Sequence, residues 1–396
     1  MRNLEKSVPV IRFKGFSEAW EQRKLGEDVN FLNGRAYSQK ELLDKGKYKV
    51  LRVGNFNTND RWYYSDLELE ENKYANRGDL LYLWATNFGP EIWNQEKVIY
   101  HYHIWKLKIM NINVSKQYLY TWLITDKERI KQSTNGTTMV HVTKSHIEQR
   151  EFQIPPNLTE QQKIGDFFKQ LDDTIALHQR KLDALKLMKK GFLQQMFPKS
   201  EENVPKLRVS NFAGEWEQRK AGNIFMTISD KNHAHLPVLS ASQELGMIRR
   251  DNIGINIKYN EKSLKNYKLV KPGQFVIHLR SFQGGFAWSY ITGITSPAYT
   301  ILDYKEPQKN VSKFWKEVLT SPIFIKRLET ITYGIRDGRS ISFADFSTLK
   351  FSAPSVDEQR KISAFFQQLD NNTTIQQNKL EKLISLKEAY LQNMFI

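Results

Sequence analysis

Cysteine is absent from this 396-residue chain, and its absence excludes disulfide bonds, thiolate zinc sites and cysteine nucleophiles together. Long hydrophobic runs are absent as well. Nowhere do about 18 uncharged apolar residues follow one another, and the N-terminal stretch has no apolar run of signal-peptide length. We therefore expect a soluble, cytoplasmic protein with no membrane segment.

Negative charge is the scarcer sign, because 43 Asp and Glu residues face 59 Lys and Arg residues, for a formal net charge of +16. The excess is spread along the chain, at +7 through Pro198 and +9 beyond it. Evenly spread positive charge on an aromatic-rich sequence favours a polyanionic partner, most often nucleic acid, because each neutralised phosphate releases a counterion. A basic protein with a merely solvated surface is the alternative.

Recognisable catalytic motifs are missing too. The sequence has no G-x-x-x-x-G-K-[ST] string to hold a nucleotide phosphate and no Asn/Asp-Pro-Pro-aromatic string of the adenine methyltransferase kind. His101 and His103 alternate with aromatic residues, which predicts one strand with both histidines on the same face. Neither this pair nor His233 with His235 has carboxylate or cysteine partners at ligand spacing, so we predict no metal site. We likewise predict no catalytic residues.

What the sequence does contain is a duplication. Three pairs of segments match: EQQKIGDFFKQLD at 160–172 with EQRKISAFFQQLD at 358–370, VPVIRFKGFSEAWEQRK at 8–24 with VPKLRVSNFAGEWEQRK at 204–220, and LQQMF at 193–197 with LQNMF at 391–395. The middles, at about 25–150 and 221–350, have diverged. The chain is therefore two tandem copies of one plan, with a shared scaffold and specialised middles.

The repeated segments late in each copy are typical of amphipathic helices. Thr159 with Gln162 forms a capping-box pattern after two prolines, and Asp357 occupies the N-cap position in the second copy. Apolar residues then recur at alternating spacings of three and four, which indicates a seam for helix pairing. The seam residues are Phe168, Leu171, Ile175, Leu182 and Leu185 in the first copy, and Phe366, Leu369, Leu380 and Leu383 in the second.

Each apolar stripe could pack on its own domain, which is the usual arrangement. Here each stripe continues for about 26 residues, or roughly 39 Å, beyond the last strand-like segment, so a partner helix is the natural cover. Because the short linker PKSEEN follows the first helix, the second helix must run back along the first. The expected fold is α+β, a tandem pseudo-two-fold repeat with two mixed α/β domains separated by an antiparallel pair of long helices.

These patterns predict globular domains at 1–155 and 199–353 and spacer helices at 156–198 and 354–396. Two DNA-reading domains on such a spacer fit half-sites about one duplex turn, or 34 to 36 Å, apart. Because the two middles differ in sequence, the half-sites should differ as well. The predicted target is bipartite and non-palindromic.

Several short strings accompany the duplication. They are the P-x-x-x-EQ-x-KI-x-x-FF-x-QLD helix opening at 156, its counterpart at 354, WEQRK before each middle, KYKVLRVGNF at 47–56, RGDLLYLWATNFG at 77–89 and PGQFVIHLRSFQGG at 272–285. With these strings the chain resembles, over essentially its whole length, the specificity (S) subunits of type I restriction-modification enzymes.

The resemblance implies a non-catalytic subunit with two target-recognition domains, each reading one half of a split double-stranded DNA site. It also implies that the long helices dock methyltransferase (M) subunits, two of them, and that restriction/translocase (R) subunits join through the complex. S-adenosylmethionine, ATP and Mg²⁺ are expected on those partner subunits. No cofactor is expected on this chain.

Base readout requires side chains that form paired hydrogen bonds, such as Arg on guanine and Asn or Gln on adenine, with Ser, Thr and Lys on phosphates. Candidates in turn-like or strand-end contexts are Arg35, Arg52, Asn55, Thr86, Asn87 and Thr137 in the first middle, and Lys231, Arg249, Arg280, Ser281, Gln283, Arg336 and Arg339 in the second. For each of them a solvated loop residue is the alternative. Trp84, Trp93 and Trp105 are assigned to packing.

Two further segments predict structure around the candidates. The stretches 115–132 and 311–328 each indicate a helical segment that packs on the strands. Lys181, Lys189, Lys190 and Lys387 are assigned to the outer helix faces, where they either dock partner subunits or are solvated.

Two other functions stay open at this point. A self-contained metal-dependent nuclease with duplicated DNA-binding domains would hide its ligands among the scattered Asp and Glu residues. A structural adapter would use the helix pair to recruit proteins, and its positive charge would be incidental. Mg²⁺-dependent cleavage separates the first from a specificity subunit, and the salt dependence of DNA binding separates the second.

Overall fold

The computed structural model describes residues 8–56, 59–85, 88–133, 142–199, 202–242, 245–253, 261–331 and 341–395. The chain divides into two compact units. Unit 1 is Met1–Gln179 with Asn378–Ile396, and unit 2 is Arg180–Gln377. The predicted domain boundaries stay predictions, because these units follow contacts and not the sequence repeat. Within the described ranges, no helix is both long and apolar enough to cross a membrane.

Unit 1 is built from short strands and helices. Its strands are β1 (Glu21–Lys24), β2 (Val29–Asn33), β3 (Tyr48–Leu51), β4 (Tyr63–Ser65), β5 (Tyr74–Ala75), β6 (Leu80–Leu83), β7 (Gly89–Ile92), β8 (Val98–Tyr100), β9 (Ile104–Ile109) and β10 (Glu151–Ile154). Its short helices are α1 (Leu25–Asp28), α2 (Lys116–Ser133) and α3 (Lys144–Glu148). The long helix α4 (Leu158–Gln195) begins in unit 1 and ends in unit 2.

Unit 2 repeats the plan. Its strands are β11 (Glu217–Lys220), β12 (Phe225–Ile228), β13 (Leu239–Ser242), β14 (Gly246–Arg249), β15 (Lys268–Val270), β16 (Phe275–Ile277), β17 (Ala287–Trp288), β18 (Gly293–Thr295), β19 (Thr300–Tyr304) and β20 (Lys350–Ala353). Its short helices are α5 (Ala221–Ile224), α6 (Ser281–Gly284), α7 (Ser312–Leu319), α8 (Pro322–Leu328) and α9 (Phe343–Thr348). The long helix α10 (Val356–Met394) begins in unit 2 and ends in unit 1.

The diverged middles keep the same sheet topology. Unit 1 has a sheet in the order β2-β9-β6-β7, and unit 2 has its counterpart in the order β12-β19-β16-β17, with antiparallel pairing throughout. A second sheet of unit 1 runs β4-β3-β8-β5, with β3 and β8 parallel. In unit 2 a parallel bridge between Val238 and Ile294 takes the place of that parallel pairing. The predicted α+β repeat is therefore confirmed within each unit.

The repeated WEQRK string closes each middle onto its own end. In unit 1 it forms β1, which pairs with β10 so that Glu21 lies opposite Ile154. In unit 2 it forms β11, which pairs with β20 in the same way. Trp20 and Trp216, which precede these strands, are buried in the cores of their units. The string is common to both copies because it joins the start of a middle to its end.

The glutamate of each repeated EQ pair accepts a buried double hydrogen bond. Glu160 is fully buried, and its carboxylate accepts hydrogen bonds from Arg12 at 2.6 and 2.8 Å. Glu358 is buried as well and accepts two bonds of 2.8 Å from Arg208. A buried carboxylate is tolerated only when it is paired and hydrogen-bonded, so each glutamate requires its arginine.

The glutamine of each EQ pair satisfies buried backbone groups. The side-chain oxygen of Gln161 accepts a hydrogen bond from the Ser115 amide at 2.8 Å, and its nitrogen donates to the Pro155 carbonyl at 2.8 Å. Gln359 repeats the arrangement by accepting from the Val311 amide at 2.9 Å. Because unpaired buried backbone groups cost free energy, the repeated EQ is a structural motif that ties the long helix to its unit.

The caps of the long helices lie two residues before the predicted capping residues. The side-chain oxygen of Asn157 accepts hydrogen bonds from the backbone nitrogens of Thr159 and Glu160, at 2.9 and 3.4 Å, directly before α4. Ser355 accepts from the Glu358 nitrogen at 3.4 Å directly before α10. The prediction of Thr159 and Asp357 as N-caps was wrong, because the first capping side chain after the prolines already begins each helix.

In unit 1 the two long helices run antiparallel. The rings of Phe167 and Tyr390 lie 5.0 Å apart, and the Lys387 ammonium lies 2.5 Å from the Asp172 carboxylate. A later residue of α4 thus contacts an earlier residue of α10, which defines the antiparallel direction. Lys387 was assigned to an outer face, but it forms an ion pair between the helices.

The same pairing recurs in unit 2. The rings of Phe192 and Phe365 lie 4.9 Å apart, and the Lys189 ammonium lies 2.6 Å from the Asp370 carboxylate. Lys189 also lies 3.2 Å from the buried Glu317 of α7. Lys189, like Lys387, therefore pairs the helices, and its assignment to an outer face was wrong.

The predicted seam side chains are all covered to some degree. Phe168, Leu182, Phe366, Leu369 and Leu380 are buried, and Leu171, Ile175, Leu185 and Leu383 are half-buried. In unit 1 the ring of Phe168 lies 5.8 Å from Phe395, and in unit 2 the ring of Phe366 lies 5.9 Å from Phe197. The residues that end each long helix therefore belong to the core of the unit in which that helix ends.

One of the two helical predictions for the middles needs correction. The stretch 115–132 is helix α2, as predicted. The stretch 311–328 forms two helices, α7 and α8, with a break at Thr320 and Ser321. The Ser321 side chain accepts from the Phe324 nitrogen at 3.2 Å and caps α8, while Pro322 occupies its first turn. Proline is favoured at that position because its missing N–H is not needed there.

Candidate nucleic-acid interface

Strand ends and turns of unit 1 converge at one edge. We call Arg35, Arg52, Trp84 and residues 101–103 the loop edge. Three backbone hydrogen bonds hold these segments. The Tyr102 backbone nitrogen donates to the Arg35 carbonyl at 3.1 Å, and that of His101 donates to the Leu51 carbonyl at 2.9 Å. The Trp84 backbone nitrogen donates to the His103 carbonyl at 3.2 Å. Segments far apart in sequence are thus held together by backbone hydrogen bonds. Two of the predicted DNA contacts, Arg35 and Arg52, belong to this edge.

Arg35 is held by an acidic neighbour. Its guanidinium lies 2.6 Å from the Glu41 carboxylate and 5.2 Å from the centre of the Tyr37 ring. The hydrogen bond from Arg35, followed by those from Ser38, lowers the pKa of Glu41 to about 2. A phosphate or guanine would therefore compete with Glu41 for the Arg35 guanidinium.

Arg52 and Asn55 are joined in one turn. The Arg52 guanidinium lies 4.3 Å from the centre of the Tyr63 ring. The Asn55 side-chain oxygen accepts a hydrogen bond from the Arg52 backbone nitrogen at 3.0 Å, and the Asn55 side-chain nitrogen donates to the Arg61 carbonyl at 3.1 Å. The Asn55 amide is thus engaged by the turn itself, and contact with adenine would require it to exchange these partners.

Residues 101–103 form a turn and not part of a strand. Strand β8 ends at Tyr100 and β9 begins at Ile104, so the prediction of one strand across both histidines was wrong. The rings of His101 and His103 lie 4.8 Å apart. Burial, followed by the positive charges of His103 and Arg52, lowers the pKa of His101 to about 4. His101 is therefore neutral near pH 7, and its Nδ1 accepts a hydrogen bond from the His103 backbone nitrogen at 3.4 Å, which leaves Nε2 to carry the proton and donate.

In unit 2 the loop between β16 and β17 occupies the place of the β6–β7 loop of unit 1. It contains helix α6. Arg280, just before α6, and Gln283, within it, are exposed. Ser281 is fully buried, and its hydroxyl accepts a hydrogen bond from the His278 backbone nitrogen at 2.8 Å. Arg280 and Gln283 can reach a ligand in this conformation, whereas Ser281 shapes the loop that presents them.

The remaining described candidates of unit 2 lie on its surface. Lys231 is exposed, and Arg249 is exposed with its guanidinium 3.6 Å from the Asp251 carboxylate. His233 lies 2.8 Å from Asp230, a carboxylate partner that sequence spacing did not reveal. Across the described residues, however, no group of three or more His, Cys, Asp or Glu side chains is placed to hold a metal ion.

Five predicted contacts lie outside the described residues. They are Thr86, Asn87, Thr137, Arg336 and Arg339. Whether any of the thirteen candidates touches DNA stays a prediction.

Sequence reasoning missed Tyr102 and gave Trp84 only a packing role. Tyr102 is 41% exposed, and Trp84 is half-exposed although its ring stacks on Trp105 with centroids 6.0 Å apart. The available signal was the aromatic residue between the two histidines. It pointed to the loop edge only once that segment was known to be a turn.

Comparison with known proteins supplies the class. Residues 17–187 and 215–385 each match the family model described as the type I restriction modification DNA specificity domain. The chain is 24% identical to the type I restriction enzyme MjaVIII specificity subunit of Methanocaldococcus jannaschii, over 94% of this chain and 91% of that protein. Both copies of the repeat therefore match the DNA specificity domain.

Solved structures show the same fold. The S subunit of a type I restriction-modification system from M. genitalium has a TM-score of 0.65 at 14% identity and covers 98% of this chain and 99% of its own. A chain from a structural study of complex assembly and conformational transition of the type I R-M system has a TM-score of 0.53 at 14% identity, covering 95% and 97%. The protein belongs to the type I restriction-modification DNA specificity family and is a specificity subunit, as its sequence resemblance implied.

Proposed function

We propose that this chain is a non-catalytic specificity subunit that reads a bipartite, asymmetric DNA site, with unit 1 on one half-site and unit 2 on the other. The observation that carries the proposal is a shared framework with unlike loops. Both units have the same sheet order, but the β6–β7 loop (84–88) and the β16–β17 loop (278–286) differ in sequence and in length. Loops at the same place on the same sheet framework would let both units dock on DNA in the same way. Different side chains in those loops would let each unit read different bases.

The charge of the chain supports a DNA partner. The formal net charge of +16 is shared between the two copies, so each half-site can be held by phosphate contacts. We expect the affinity for DNA to fall with salt, with a slope of several units on a log-log plot. A salt-independent interaction would instead favour the adapter function.

The long helices support docking of two M subunits. Leu177 and Leu386 are exposed in unit 1, and Ile375 and Met188 are exposed in unit 2. Leu177 corresponds to Ile375 in the repeat, and Met188 corresponds to Leu386. Each unit therefore presents one equivalent apolar pair, which fits two copies of the same partner. We propose that these partners are M subunits, that R subunits join through the complex, and that S-adenosylmethionine, ATP and Mg²⁺ bind to those subunits.

The test uses the chain reconstituted with its M subunits. Mapping of methylated adenines should show a split motif with two different halves. Replacement of residues 25–150 by a second copy of residues 221–350 should make the two halves alike, because one reader is then used twice. A motif unchanged by this swap would show that the middles do not read sequence.

The isolated chain provides the second test. It should bind DNA but neither methylate it with S-adenosylmethionine nor cut it with Mg²⁺. Methyl transfer by the isolated chain would contradict the non-catalytic assignment. Cleavage that requires Mg²⁺ would instead establish the nuclease alternative.

A further inference from the structure

The loop edge of unit 1 carries an aromatic surface as well as cations. We propose that Trp84 and Tyr102 contact the 5-methyl group of a thymine in the half-site that unit 1 reads. This inference rests on the proposed function, because it requires the loop edge to face DNA. It assigns a specificity role to two side chains outside the hydrogen-bonding candidates.

The first supporting observation is the fixed position of the Trp84 ring. Buried Tyr82 stacks on buried Trp105 with centroids 6.0 Å apart, and Trp105 stacks on Trp84 at the same distance. The interplanar angles are only 18° and 22°. The Trp84 indole nitrogen also donates to the Tyr102 carbonyl at 2.7 Å. Two independent contacts thus fix the outermost ring of a stack rooted in the core.

The second observation is a shallow concavity beside this ring. It is lined by Asn33, Trp84, Tyr102, Trp105, Val142, Thr143 and Lys144, and its wall is mainly apolar. Tyr102 is 41% exposed on this wall. Aromatic side chains left exposed in such a group commonly mark an interaction site, because their burial by a partner is favourable.

The third observation is the cation that lies beside this aromatic surface. The Tyr102 nitrogen donates to the Arg35 carbonyl, and the Trp84 nitrogen donates to the His103 carbonyl, so the aromatic side chains share a backbone framework with a cation. When such a surface binds a polyanion, the cation at its rim faces a phosphate and the aromatic carbon atoms at its centre face the bases. It therefore requires an apolar group on the nucleic acid.

The chemistry of duplex DNA limits what that group can be. Among the major-groove edges of the four unmodified bases, only thymine presents a methyl group, its 5-methyl, and this group distinguishes thymine from the other three. Sugar carbons are apolar too, but they carry no sequence information. A rigid apolar surface on a sequence-reading edge therefore fits thymine.

The experiment uses the complex of the chain with its M subunits and a duplex bearing the mapped target. The half-site of unit 1 is identified by the middle-segment swap, and each thymine of the target is then replaced singly by deoxyuridine, which lacks the methyl group. We expect one thymine in the half-site of unit 1 to lose about fourfold in affinity, which corresponds to ~0.8 kcal/mol for one buried methyl-sized group. Tyr102→Ala and Trp84→Leu should bind both duplexes equally.

A matched control lies in the same unit. Ile112 is 91% exposed and follows the opposite end of β9 from Tyr102, so Ile112→Ala should keep the fourfold difference. Circular dichroism establishes that each variant is folded. Because Tyr102 is exposed, Tyr102→Ala tests the inference even where Trp84→Leu fails to fold.

The outcomes separate this inference from the proposed function. Absence of sequence-specific binding by the wild-type complex would overturn both. With specific binding intact, a half-site without a thymine–adenine pair, or one in which no thymine responds to deoxyuridine, would overturn the inference alone. A loss of affinity in Tyr102→Ala that leaves the thymine preference unchanged would point to stacking on an unpaired base and would also overturn it.

Discussion

The ion pair of Arg12 and Glu160 makes the sharpest stability prediction. Glu160 is fully buried and the Arg12 side chain is 10% exposed, with two hydrogen bonds between them. The bond to Glu160 raises the pKa of Arg12 above its ordinary value, against the opposing effect of burial. Arg12→Ala therefore leaves a buried carboxylate without its partner, and such a change costs about 3 to 5 kcal/mol.

The assay is urea denaturation followed by tryptophan fluorescence. Arg12→Ala should lower the midpoint of the transition of unit 1, and Arg208→Ala should lower that of unit 2, because Arg208 pairs with Glu358 in the same way. The double change Arg12→Leu with Glu160→Leu should recover most of the loss, since an apolar pair needs no counter-charge.

The control for this prediction is an exposed ion pair. Lys169 and Asp173 lie 2.6 Å apart on the surface of α4, one helical turn from each other. Lys169→Ala should leave the midpoint of the transition nearly unchanged, because solvent screens an exposed ion pair. A similarly small effect of Arg12→Ala would refute the reasoning, because it would mean that Glu160 does not need its arginine.

Three further predictions concern unit 2. Burial lowers the pKa of His278 from 6.5 to about 4, so the unfolded chain takes up the proton at a higher pH than the folded chain does. The free energy of unfolding should therefore fall by about 2 kcal/mol between pH 7 and pH 5, and urea melts of His278→Gln should lack this fall. Lys189→Met leaves Glu317 without one of its cations and should lower the thermal midpoint by the equivalent of about 1 to 3 kcal/mol; an unchanged midpoint would contradict this. Gly285 has φ +77° and an added Cβ would lie 2.5 Å from the Leu319 carbonyl oxygen, so Gly285→Ala should cost at least about 1 to 3 kcal/mol in the same melts, and full stability would show that the loop can rearrange.

The repeat and the long helices could be predicted from sequence because their signals are local. A string that recurs at a fixed shift needs no knowledge of contacts, and apolar spacing alone indicates a helix. The caps at Asn157 and Ser355 were missed because several adjacent side chains were able to cap, and a shift of two residues decides between them.

The loop edge was harder to predict because its partners are distant in sequence. Arg35 could be named as a candidate from its neighbours, but its closeness to Tyr102 depends on backbone hydrogen bonds between separate loops. Ser281 matched the pattern of an exposed loop residue, yet its hydroxyl accepts a bond from His278 and is buried. Residue type indicates what a side chain can bind, whereas topology decides whether it is accessible.

The cores of the units have a consequence for biosynthesis. Met394 and Phe395 lie in the core of unit 1, whereas the residues of unit 2 end at Gln377. A ribosome therefore supplies every residue of unit 2 before it supplies the last of unit 1. The half of the protein that is translated first has to wait, with part of its apolar interior uncovered, until the final helical turn emerges.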